Sequence, residues 1–271
     1  MENTPGREEC FYEHGLSVYV ETEKHKLLVD TGATDAFLQN AETLGIDLRQ
    51  VDTVILSHGH YDHSGGLLAL TEKNSIARIY MQKSATLDYY SLREKGETYI
   101  GIDKEISALP QVELLEGDKR IDEELFLFSG ISGRRLWPHS NLRLKRKVGD
   151  VLVQDTFDHE QCLVVEQEGK RILLSGCAHN GILNILDKYR EIYGDNPDMV
   201  ISGFHMMRKE YSEADMEDIR STARELAKLK TVFYTGHCTR EAAFTAMKEI
   251  MGEKLCALHS GEELGLLSAG K

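Results

Sequence analysis

Three absences narrow the reading of this chain before any motif is considered. No apolar run approaches the ~18 residues that a membrane-spanning helix needs. The opening stretch, MENTPGREEC, holds no apolar core of signal-peptide length. The sequence therefore predicts a protein that neither spans a membrane nor is exported, and places it in the cytoplasm. Paired cysteines are missing too. Cys10, Cys162, Cys177, Cys238 and Cys256 are scattered, odd in number and free of any C-x-x-C. That excludes a disulfide framework and a zinc ribbon, and fits a reducing compartment. By default Cys177 and Cys238 read as small buried apolar residues. Positive charge is also scarce. The 32 Lys and Arg face 45 Asp and Glu, for a net charge of −13. General nucleic-acid binding depends on basic side chains neutralising phosphates, so this balance excludes it; a local basic patch for a small phosphorylated ligand stays compatible.

What is present reads as one large α/β chain or two packed halves, since 271 residues bury a sizeable core. Residues 16–31 predict a hairpin, residues 34–44 a helix closed by Gly45, and VDTVILS (51–57) a buried strand. A helix is expected after SGG, with Ser64 as its cap. The second half echoes the first. VYVETEKHKLLVDTG (18–32) matches LVVEQEGKRILLSGC (163–177) at an offset of 145 residues. Helices then follow at 182–193, 212–229 and 240–251, with strands at 198–203 and 231–236 and a last strand near LCALHS. Two sheets with helices outside them satisfy this order. The division expected is one domain over 1–271, made of pseudo-repeated halves at about 1–73 and 156–271. A loop-rich insertion over 74–155 separates them, as connecting material or as a lid.

The strand at 51–57 delivers the chain into HGHYDH (58–63). In an extended segment residues i and i+2 point the same way, ~6.5–7 Å apart, so His58 and His60 converge on one ion. Asp62 and His63 follow around a turn and face a second. Imidazole with carboxylate suits Zn²⁺, and also iron or manganese. Partners are expected at other strand ends: His179 in LLSGCAHNG, His237 in FYTGHCT, and His205 in ISGFHMM as ligand or as acid/base. His25, His139, His159 and His259 have no such context.

With LLVDTG (27–32), LSHGHYDHSGGL (56–67), LLSGCAH (173–179) and YTGHCT (234–239), the chain resembles the metallo-β-lactamase superfamily, whose fold is a four-layer αβ/βα sandwich. More narrowly, EHGLSVYVE (13–21), SGCAHNGILNIL (175–186) and ISGFHM (201–206) resemble dihydropterin–ribofuranosylaminobenzene phosphate synthases. The resemblance implies that His58, His60 and His179 hold a first divalent metal and that Asp62, His63 and His237 hold a second. Zinc comes first, with iron, manganese or magnesium as alternatives. It implies Asp30 behind the ligands. The chemistry expected of the site makes Asp62 and His205 the catalytic candidates, and His14, Arg134, Arg135 and Trp137 are candidates toward a substrate. Lys83, Lys145, Arg146 and Lys147 are further candidates for a phosphate. Two departures stand out. The metal-bridging Asp expected near VISGFH is replaced by Gly203, Phe204 and His205. The first edge strand is missing or shortened before Glu2-Asn3.

The function implied is metal-dependent hydrolysis of an ester, thioester or phosphoester by an activated hydroxide. One alternative is a synthase joining a pterin diphosphate to an aminobenzene ribosyl phosphate with loss of pyrophosphate. Another is a non-enzymatic relic that binds one ion. A diiron flavoprotein is set aside, because His60 stands where that group has a glutamate and no flavodoxin domain fits. The partner is a small molecule, and the oligomeric state stays open.

Overall fold

Short β-branched and aliphatic runs that alternate in facing build this molecule. The computed structural model describes residues 1–265. β1 (Val18–Glu21) and β2 (Lys26–Val29) form the first hairpin, followed by helix α1 (Ala36–Thr43), β3 (Thr53–Ile55), α2 (Tyr61–Ser64), α3 (Leu67–Lys73) and β4 (Arg78–Gln82). After β5 (Tyr89–Arg93) and β6 (Gly96–Tyr99), β7 (Val112–Leu115) completes a sheet of order β1-β2-β3-β4-β7. β8 (Lys119–Arg120) and β9 (Leu125–Phe128) begin the second sheet. β10 (Leu144–Val148) and β11 (Val151–Gln154) pair with β5 and β6 in a small antiparallel sheet. The hairpin of β12 (Cys162–Gln167) and β13 (Lys170–Leu174) leads through α4 (Ile182–Tyr193), β14 (Met199–Ile201), α5 (Glu213–Ala227), β15 (Val232–Thr235), α6 (Glu241–Met251) and β16 (Leu255–Ala257). β13 to β16 run parallel in sequence order.

Side-chain alternation stacks these parts into four layers. Leu27, Val29 and Ile55 of the first sheet pack face to face with Leu163, Ile172 and Leu174 of the second. The intervening Leu28 and Val54 point outward onto Phe37, Leu67 and Leu70. Leu173 and Val200 point outward onto Ile185, Ala223 and Met247. This is the αβ/βα sandwich. Among the described residues no helix is long and apolar enough to cross a membrane.

The internal echo is structural, residue for residue. Val18 opposes Val29 and Val20 opposes Leu27; at the same offset of 145, Leu163 opposes Leu174 and Val165 opposes Ile172. Each hairpin is followed by three parallel strands, β3, β4 and β7 in one sheet and β14, β15 and β16 in the other. The first unit thus continues through Leu115, well past residue 73. Residues 74–155 are not loop-rich, for they hold eight strands. Two of these belong to the first sheet, two to the second, and four make the small sheet. Strands of two to five residues show too little periodicity to stand out against the polar turns between them.

Ser64 does not cap α3. It sits inside α2, where its hydroxyl donates to the His60 carbonyl, and α3 starts after Gly66. A Cβ on Gly65 would lie 2.0 Å from the Ala33 carbonyl oxygen, and one on Gly66 would lie 2.4 Å from Phe37 Cε1. Both glycines let the histidine turn pack against the loop after β2. Residues 1–4 form no strand. Met1 bonds with Ser17 beside β1, and Glu2 and Asn3 reach across to the second half.

Candidate metal centre

The strand ends of both sheets meet at one edge, and the histidines gather there. His58 leaves the end of β3, His60 precedes the single turn of α2, and His179 follows β13. One ring nitrogen from each lies within 4.8 Å of the others. The hydrogen bonds around them fix which nitrogens face inward. Ser57 Oγ donates to Asp30 Oδ2 at 2.7 Å, so it accepts from His58 Nδ1 at 2.8 Å. Asn141 donates to the His179 carbonyl, which turns its Oδ1 to accept from His179 Nδ1 at 3.0 Å. Both Nε2 atoms therefore carry bare lone pairs, and they face each other at 3.2 Å. His60 Nε2 is buried with no hydrogen-bond partner. Burial, reinforced by the neighbouring imidazoles, pushes His58 and His179 well below the ordinary histidine range, and His60 down to about 3. Three neutral imidazoles with converging lone pairs repel one another, and a divalent cation among them removes that repulsion. The residues fit a metal.

Beside this trio His63 Nε2 lies 3.2 Å from His237 Nε2. Asp62 Oδ2 is 3.5 Å from His237 Nε2 and 3.3 Å from His14 Nε2. Burial alone would lower the His63 pKa. The buried Asp30 carboxylate, 2.6 Å from Nδ1, outweighs it and raises the group to about 9. Burial opposes ionisation of Asp62, but His237 and His63 prevail and hold it well below the usual carboxylate range. Asn3 Nδ2 faces His14 Nδ1 at 3.2 Å. The His14 Nε2–H therefore donates to Asp62, so His14 supports this carboxylate in place of binding a metal itself. Burial takes the His14 pKa down to about 4.

Among the described residues no carboxylate stands between the two sets. Gly203 to His205 supply none, and Cys177 holds the middle. Its Sγ is 3.2 Å from His63 Nε2, and it clusters with His58 and His63, with His179 and His205, and with His237 and Cys238. Cys177 is buried as expected of a small apolar residue, burial pushes its thiol pKa well up, and its sulfur lies beside both histidine sets. Both ring nitrogens of His205 are buried without hydrogen-bond partners, and its ring lies 4.1 Å from that of His179.

Several supporting residues had no signal in the sequence. Glu160 accepts from the His179 and Asn180 amides. His159 accepts from the Gly59 amide at 2.9 Å and pairs with Asp155, fixing the loop between His58 and His60. Asn3 Oδ1 accepts from His237 Nδ1 at 2.8 Å, and Glu2 accepts from the His237 amide. These partners sit up to 235 positions from the histidines they orient.

The basic residues of the insertion lie elsewhere. Arg135 pairs with Asp187 and Glu225, Arg146 with Asp158 and Lys83 with Glu116. Lys145 donates to Gln154. Arg134 donates to Asn180 and lies over the Trp137 ring. Trp137 lines a depression next to the cluster that shares His205. Of the residues expected on the substrate side, only His14 lines the cleft above the histidines. That cleft has about 410 Å³ of space open to solvent, and His60, Asp62, Cys177, His179 and His205 share its wall.

A four-layer sandwich with an imidazole-rich centre across the strand ends of both sheets is the arrangement of a metallo-β-lactamase-type fold. The chain belongs to the metallo-β-lactamase superfamily, whose family profile matches residues 12–237. It is 30% identical over 271 aligned positions to the 7,8-dihydropterin-6-methyl-4-(β-D-ribofuranosyl)-aminobenzene-5′-phosphate synthase of Methanocaldococcus jannaschii, covering 92% of this chain and 89% of that protein. An uncharacterised protein of the same organism is 31% identical over 205 positions, covering 73% of this chain and 74% of its own. Among solved structures, Tm1679, a metal-dependent hydrolase of the β-lactamase superfamily, matches with a TM-score of 0.81 and 31% identity, covering 98% of this chain and 96% of that one.

Proposed function

We propose that the chain is a metal-dependent hydrolase of small-molecule esters, thioesters or phosphoesters. The observation that carries this is the facing pair of His58 and His179 Nε2 lone pairs, 3.2 Å apart with both Nδ1 atoms committed elsewhere. His58, His60 and His179 hold one divalent ion, zinc first. His63, His237 and Asp62 hold a second, with the Cys177 thiol between the two. A bound ion supplies Lewis acidity and makes a water molecule acidic near neutral pH. With an ion bound, the ionised Asp62, steadied by His14, would orient that water by accepting a hydrogen bond from it. His205, unpartnered and on the cleft wall, delivers a proton to the leaving group. Asp30 holds the ring of His63.

A second reading has an observation of its own, the alignment along nearly the whole chain with the pterin synthase. On that reading the same residues would hold the metal, and the metal would bind a diphosphate and help it leave while a new bond forms.

Metal analysis of the purified protein is expected to find one to two transition ions per chain. His60→Ala is expected to remove one of them and to lower ester or phosphodiester hydrolysis by about a hundredfold or more. A folded, metal-free wild type, or full activity in the variant, contradicts the reading. Release of pyrophosphate from a pterin diphosphate and an aminobenzene ribosyl phosphate separates synthase from hydrolase.

A further inference from the structure

Two arginines stand over the same cleft with no acid to answer them. Arg93 ends β5, and Arg143 lies in the turn just before β10. The two strands pair antiparallel with Leu144 opposite Ser91, which sets both arginines at one end of the small sheet. Both line the cleft together with His14, His60, Asp62 and His205. Among the described residues neither makes an ion pair, whereas Lys83, Arg120, Arg135 and Arg146 are each matched to a carboxylate. Among the described residues the Arg93 side chain hydrogen-bonds the Tyr61 hydroxyl, also on the cleft wall. Of the described cleft-lining residues only Asp62 carries a carboxylate, and His14 and His237 already engage it. Partial burial, together with the like charges of Arg93, Arg208 and Arg240, lowers the pKa of Arg143. In a chain of net charge −13 this is a concentrated, uncompensated positive field.

We propose that Arg93 and Arg143 form an anion clamp at the mouth of the metal cleft and that the substrate carries a phosphoryl group seated in it. A guanidinium offers a planar fork of donors that matches phosphate oxygens two at a time. Two such forks on one wall suit a dianion with three free oxygens better than a carboxylate. The clamp rests on the metal-cleft reading above and narrows its substrate class to phosphorylated small molecules. The small sheet thereby gains a role, since the pairing of β5 with β10 brings these two side chains to one wall of the cleft.

The test uses inorganic pyrophosphate as the probe, with binding to the purified protein measured by titration calorimetry and metal content measured on the same samples. Arg93→Gln and Arg143→Gln are each expected to weaken binding by about tenfold, the scale of losing charged hydrogen bonds. Lys170→Gln, the same charge change at the far end of β13, is expected to stay within about twofold. Acetate is expected to bind far more weakly than pyrophosphate. Unchanged affinity in both arginine variants, an equal loss in Lys170→Gln, or acetate matching pyrophosphate would overturn the clamp. If metal content is normal and the arginines have no effect, the clamp falls and the metal reading stands. If the wild type carries no metal, the metal reading falls, and the arginine dependence of pyrophosphate binding still decides the clamp.

Discussion

Replacing Asp30 with Asn leaves shape nearly unchanged and removes one buried charge. Asp30 is fully buried. It accepts from the Ser57 amide and hydroxyl at 2.7 Å each, and from His63 Nδ1 at 2.6 Å. An amide nitrogen placed at Oδ2 would meet two donors head-on. Breaking one side of such a pair costs about 3–5 kcal/mol. At roughly 2 °C per kcal/mol for a chain of this length, the metal-free variant is expected to melt about 6–10 °C lower.

The pH signature is sharper. In the wild type Asp30 raises His63 to about 9. A raised histidine contributes stability fully present below its unfolded value, near 6.5, and lost as pH rises through the folded value. The metal-free wild type is therefore expected to lose stability between pH 6.5 and 9, and Asp30→Asn is not. A metal on His63 Nε2 must also displace that proton, so affinity at this site climbs about tenfold per pH unit until near 9. Without Asp30, burial leaves His63 neutral, and the slope above pH 7 disappears. Zn²⁺ competition with a chelator at pH 6, 7, 8 and 9 measures this. Affinity of the second equivalent is also expected to fall about 10–100-fold when its supporting carboxylate is removed. A variant with wild-type affinity and wild-type slope would refute the assignment of Asp30 and His63.

Two further changes probe separate parts of the molecule. Cys177→Ser, with Co²⁺ in the site, is expected to lose the sulfur-to-cobalt absorption while keeping the spectrum of the imidazole set; an unchanged spectrum removes Cys177 from the ligands. His25 lies between Asp52 at 2.7 Å and Asp122 at 2.6 Å. Burial lowers its pKa, but the two carboxylates outweigh that and raise it. His25→Gln is expected to cost about 1 kcal/mol in urea unfolding at pH 6, and less at pH values above the raised pKa. Equal losses at pH 6 and pH 9 would show that the histidine acts by packing alone.

Much of the candidate centre was legible because its residues are local. His58, His60, Asp62 and His63 occupy one strand end and one turn, and spacing alone sets their facing. The hairpin echo at an offset of 145 was equally readable, since both copies bury alternate residues in the same register. The strands of residues 74–155 were not legible, because pieces of two to five residues leave no period to detect. Arg134 and Arg135 drew attention as adjacent charges in a polar loop. Whether a charge meets an acid or a cleft depends on what the other elements bring beside it.

By itself the sequence determined the ligand-bearing turn, the two repeated hairpins and the residue types that admit a divalent ion, because these follow from local spacing and side-chain chemistry. Only the tertiary structure decided the rest. It set the Cys177 sulfur beside both histidine sets, bent Asn3 and Glu2 onto His237, and left Arg93 and Arg143 without ion pairs above the histidines. Those relations join residues as far apart as 235 positions, and no spacing rule reaches across two packed sheets.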